Sequence, residues 1–102
     1  MDELKKVQDW FCSQCDGDWE HNNSIKIYSL DNPGWAVVIS LENTVLENST
    51  YDTGLVELSE SDWYNIGISS KVFKGIGDET KLIFIIEAFL KLVDQAENLQ
   101  NQ

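Results

Sequence analysis

The apolar run near the C-terminus constrains the fold most. Leu82, Ile85, Ile86, Phe89, Leu92, Val93 and Ala96 recur at helical spacing and form one stripe. Ile83, Phe84 and Leu90 widen that stripe beyond what one sheet face requires. A helix this apolar must be deeply buried, or must also enter an oligomer interface. Asp78 stands where it can cap the helix, with Glu79 in the first turn against the dipole. The polar segment from Gln95 to Gln102 is expected to fray.

The rest of the chain has to supply the surface that this helix covers. Leu4, Val7, Trp10 and Phe11 predict a first helix from Leu4 to Cys15, which Asp16-Gly17-Asp18 stops. Ile25 and Ile27 alternate with Lys26 and Tyr28, the pattern of a strand with one wet face. Asn32-Pro33-Gly34-Trp35 offers Pro and Gly as a type II turn wants them. Trp35 to Leu41 is the most apolar strand and is expected to be central. Further strands are predicted around Leu55–Ser59, Trp63–Ser69 and Val72–Gly75, with Gly75-Ile76-Gly77 as the exit into the last helix. The expectation is one α+β domain over residues 1–102. It has an N-terminal helix, an antiparallel sheet of about four to five strands and a C-terminal helix, with both helices on one sheet face.

Charge narrows the partners. The sequence carries 18 acidic residues against 7 basic ones, all Lys, for a net charge of −11. Residues 27–70 hold seven of those acids and no base. Such a surface repels phosphate, so nucleic-acid binding is not expected; a basic protein is what it attracts, quickly and with salt sensitivity. No stretch has the about 18–20 consecutive apolar residues of a bilayer span. The start, Met1-Asp2-Glu3-Leu4-Lys5-Lys6, lacks the features of a signal peptide, so a cytoplasmic protein without a membrane partner is expected.

Two aromatic motifs remain: Gly17-Asp18-Trp19-Glu20-His21 and Asp31-Asn32-Pro33-Gly34-Trp35. Together they resemble the signature of the immunity protein 53 family, small bacterial proteins found beside polymorphic-toxin genes. The resemblance runs from about Trp10 through the final helix and touches Trp19, Glu20, Pro33, Gly34 and Trp35. It implies a binder that neutralises a cognate toxin domain.

No chemical constellation competes with that reading. Cys12 and Cys15 sit in the last turn of the first helix, near its negative end and beside Asp16 and Asp18, which disfavours a thiolate. A zinc site would need more ligands than His21 and nearby carboxylates provide. Asp16, Asp18 and Glu20 start like a calcium loop, but His21 and Ile27 occupy the positions where Gly and Glu are required. His21 is the single His; its neighbour Glu20 points to the opposite side of an extended segment. Gly75-Ile76-Gly77-Asp78 lacks the third Gly of a dinucleotide loop and the Gly-Lys-Ser/Thr of a Walker loop. Neither a catalytic residue nor a metal or other cofactor is assigned.

The expected toxin contact is therefore the acidic stretch Glu42, Glu47, Asp52, Glu57, Glu60 and Asp62, unneutralised by any nearby cation, with Tyr51 as an aromatic anchor. The toxin is expected to be basic, with a nuclease as a plausible example. Two alternatives stand beside this reading. One is a small thiol or sulfur-transfer enzyme using Cys12 or Cys15. The other is a homodimeric accessory protein whose contact is the C-terminal helix at Ile83, Phe84 and Leu90.

Overall fold

The computed structural model of the chain describes residues 2–100. Helix α1 (Glu3–Gln14) and a short helix α2 (Trp19–Asn22) precede strands β1 (Ile25–Leu30), β2 (Gly34–Ser40), β3 (Tyr51–Ser59), β4 (Asp62–Ser69) and β5 (Val72–Gly77). Helix α3 (Leu82–Gln100) closes the chain. The five strands form one antiparallel sheet in the order β1-β2-β5-β4-β3. Both long helices lie on one face, so the expected α+β architecture is the observed one.

The period-2 alternation decides which side chains meet the helices. In β5, Phe73, Gly75 and Gly77 are buried while Val72 and Lys74 are exposed. Phe73 pairs with Ile39 and Ile68, and Gly75 with Val37 and Ile66. These rows and the α3 residues Ile85, Ile86, Phe89 and Val93 form one core, joined by Val7 and Trp10 of α1. Phe89 sits at its centre, fully buried, with its ring 4.9 Å from Trp10 and 5.1 Å from Phe73. Burying each such side chain is worth about 1.5–3 kcal/mol, so the α3 stripe is the main adhesive between the layers.

Several local expectations are corrected. Gly75-Ile76-Gly77 does not leave the sheet; it is the second half of β5. A Cβ at Gly75 would collide with Ile85, and one at Gly77 would stand 2.7 Å from Lys81 Cβ, so these glycines let α3 lie close on the central strand. The middle strand is thus β5, with the more apolar β2 beside it. β3 begins at Tyr51, ahead of Leu55, because Asp52-Thr53-Gly54 is a bulge and not a turn; Gly54 takes φ +65°. The α2 turn, four residues long, is too short to show a helical period in the sequence.

The helix start also differs. Asp78 and Glu79 lie in a turn, and α3 begins at Leu82. The Asp78 side chain, 1% exposed, accepts hydrogen bonds from the Trp63 and Thr80 amides, the Thr80 hydroxyl and the Lys81 ammonium. It ties the start of β4 to the β5–α3 turn instead of capping the helix. Ordered helix continues to Gln100; residues 101–102 of the segment expected to fray lie outside the described residues.

Candidate functional site

The two aromatic motifs brace turns: Trp19 and Gly34 are buried, Glu20 and Trp35 half-buried, and His21, Asn32 and Pro33 exposed. Trp19 is 5% exposed, and its indole N–H donates to the Glu42 carbonyl at 2.6 Å, fastening α2 to the loop after β2. Glu20 turns back: its carboxylate accepts the amides of Asp16 (3.0 Å) and Gly17 (2.9 Å). Asp16 reciprocates by accepting the Asp18 and Trp19 amides. These bonds hold both carboxyls below their usual range: Glu20 chiefly through its own backbone N–H, then those of Asp16 and Gly17, and Asp16 through the Trp19 and Asp18 amides.

The second motif works similarly. Asp31-Asn32-Pro33 is the turn between β1 and β2, and Gly34 is already the first residue of β2, opposite Leu30. Gly34 has no positive φ, so the type II turn expected there is not formed. Gly is needed for a different reason: a Cβ would run into the Gly77 carbonyl oxygen. Trp35 donates its indole N–H to the Glu79 carbonyl at 3.1 Å and so pins β2 to the β5–α3 turn.

The chemical candidates gain nothing from the fold. The Cys15 thiol donates to the Phe11 carbonyl, and burial, then the charges of Glu20, Cys12 and Asp16, push its pKa up. His21 is exposed on α2. Among the described residues, no group of three His, Cys, Asp or Glu is placed to hold a metal ion, and no helix is long and apolar enough to cross a membrane.

The acidic candidates are divided between the β3 edge and the two opposite ends of the sheet. Tyr51, Asp52 and Glu57 belong to β3, an edge strand; Glu60 lies in the β3–β4 turn and Asp62 opens β4. Glu42 and Glu47 lie in the loop between β2 and β3. That loop touches the β4–β5 turn, where Lys71 accepts the Leu41 amide. The expectation that none of these carboxylates meets a cation is corrected. Glu47 pairs with Lys71 at 3.5 Å and Asp62 with Lys81 at 2.7 Å, both lysines coming from beyond residue 70. Glu42, Glu57 and Glu60 are exposed and make no ion pair among the described residues.

With both long helices on one face, the other face of the sheet carries no second layer among the described residues. A groove of about 760 Å³ opens there, bounded by Tyr51 and Asp52 on β3, Asn65 and Gly67 on β4, and Val72, Lys74 and Ile76 on β5. In register, Lys74, Gly67 and Asp52 form one row across the sheet. Gly67 leaves a notch between a cation and a carboxylate, and a Cβ there would stand 3.0 Å from the Tyr51 carbonyl oxygen. Tyr51 borders the groove and is 43% exposed, but in register it pairs with Ile68 and so stands at the β3 edge on the helix side. Of the sequence candidates, Tyr51 and Asp52 are brought to the groove; the others are not. Lys74, Asn65 and Val72 were missed, although the alternation Val72-Lys74-Ile76 places them opposite Phe73-Gly75.

This is a two-layer α+β protein whose two motifs are spent on bracing turns. It belongs to the immunity protein 53 family, whose model matches residues 4–94. Neither the search of curated proteins nor that of solved structures gave a match.

Proposed function

We propose that this chain is a cytoplasmic, non-enzymatic immunity protein that neutralises one cognate polymorphic toxin by direct binding. The toxin-facing surface in this reading is the bare sheet face with the β3 edge. The observation that carries it is the one-sided helix layer, which leaves a groove flanked by Tyr51 and Asp52 while Trp19, Glu20 and Trp35 of the family motifs bond to the chain's own backbone. Glu57 and Glu60 prolong that rim with further carboxylates. A net charge of −11 favours a basic toxin domain, and the phosphate-binding cleft of a nuclease has the matching chemistry. The raised thiol of Cys15 supports a binder over a thiol enzyme.

Co-expression with the neighbouring toxin, followed by titration calorimetry, tests this. Cells should be protected, and affinity should fall as salt rises, because the attraction is between unlike charges. Tyr51→Ala should cost about 1–2 kcal/mol of binding as a partly buried aromatic anchor. Asp52→Asn should mainly slow association. Unprotected cells, or affinity indifferent to salt and to both substitutions, would end this reading.

A further inference from the structure

The two edges of the sheet are built differently. The β3 edge has the devices that discourage pairing with another strand: two register shifts, one of them the bulge at Gly54, and the carboxylates of Asp52 and Glu57. The β1 edge has no shift, no bulge and no carboxylate. All six of its residues pair with β2 without a shift, and residues 22–30 carry a single charge, on Lys26. On the helix side Ile25 packs against the core, but Ile27 is 40% exposed; Tyr28, on the bare side, is 46% exposed.

The backbone polarity of β1 is fixed by its neighbour. The Ser40 amide donates to the Ser24 carbonyl at 3.0 Å, one step before the Ile25–Ile39 pair. Hydrogen-bonded pairs alternate along an antiparallel ladder, so Lys26, Tyr28 and Leu30 direct their backbone groups to β2. Ile25, Ile27 and Ser29 direct theirs away from the sheet. On β2 the odd-numbered residues face β5, consistent with the Leu41 amide donating to Lys71.

We propose that β1 is the interface of a homodimer in which two copies join their sheets edge to edge, antiparallel, about Ile27. In that register Ile27 meets Ile27 of the second copy, and Ile25 meets Ser29. Each of these exchanges its outward N–H and C=O, which leaves none of them idle. On the bare face, Lys26 lies against Tyr28 of the second copy, cation over ring, and the two Lys26 ammonium groups stay apart. A second copy suits this edge better than a basic partner does. Lys26 would repel a cationic strand, whereas two strongly acidic molecules approach with least repulsion where neither carries a carboxylate.

Sedimentation equilibrium and concentration-dependent amide exchange decide the matter. The unaltered protein should associate to a dimer, and more strongly as salt rises, since added ions screen like charges. That sign is opposite to the one expected for toxin binding, so the two proposals fail separately. Ile27→Asp, which opposes two carboxylates at the axis, should give a monomer with an unchanged circular dichroism spectrum, while Leu58→Asp on the β3 edge should remain dimeric. If Ile27→Asp fails to fold, amide exchange on the unaltered protein decides: Ile25, Ile27 and Ser29 should slow with concentration. A monomer at millimolar loading, or a dimer that survives Ile27→Asp, overturns the proposal. So does a dimer that dissociates on Ile83→Asp or Phe84→Asp, or protection of the β1 amides by toxin and not by concentration.

Discussion

Ser70 and Lys71 join β4 to β5 with φ of +51° and +65°, both in the left-handed region. A two-residue turn of this hand suits Asn and Gly, and a residue with an ordinary Cβ carries roughly 1 kcal/mol of strain there. Lys71 is held by Glu47, but the Ser70 side chain makes no hydrogen bond among the described residues, so Ser70→Asn should stabilise the fold by about 0.5–1 kcal/mol in chemical denaturation. Glu20 presents the opposite case. Glu20→Ala strips the acceptors from two amides and should cost about 1–2 kcal/mol, yet toxin affinity well below the melting midpoint should be unchanged. Loss of binding by a folded Glu20→Ala protein would place that carboxylate on the toxin instead.

The elements themselves were readable because their periodicities are strong. The α3 stripe, the alternation in β1 and the apolar run of β2 each announced an element of the right kind in the right order. What failed was local chemistry governed by distant neighbours. Gly75 and Gly77 read as a turn because sequence alone does not show that Ile85 and Lys81 descend onto them. Asp78 read as a helix cap because its acceptors are claimed by Trp63, far away in sequence. The groove was half legible: Tyr51 and Asp52 were marked, but Lys74 and Gly67 reach it only through the β3-β4-β5 register. The load on α3 is also testable. Phe89→Ala opens a void between Trp10 and Phe73 and should cost about 3–5 kcal/mol, a large share of the about 5–15 kcal/mol that holds a domain together.

At the scale of the whole molecule, Asp62, Asp78 and Lys81 bind the β4 start, the β5 end and the α3 start into one charged knot. Burial works to raise the Asp78 carboxyl. Hydrogen bonds from the Lys81 ammonium, from Thr80 and from the Trp63 amide outweigh it and hold the carboxyl well below the carboxylate range. Lys81 is held above its ordinary value by Asp62 and then Asp78. A depressed acid stabilises the folded state above its unfolded pKa of about 3.9 and loses that contribution as pH falls further; a raised base stabilises below about 10.4 and loses its contribution as pH rises past the folded value. Thermal midpoints should therefore drop on acidification below about pH 4, and Asp78→Asn should lower the midpoint at neutrality and flatten that acid limb.

After β2 the chain crosses to the far edge through residues 41–50 before returning by β4 and β5 to lie beside β2. A peptide break near Asn48 would sever no rung of the sheet. It would separate a helical hairpin fragment from a three-stranded meander carrying α3, each exposing the surface that the other requires. The two fragments should find one another in solution and rebuild the native assembly, which makes this small chain a natural split reporter.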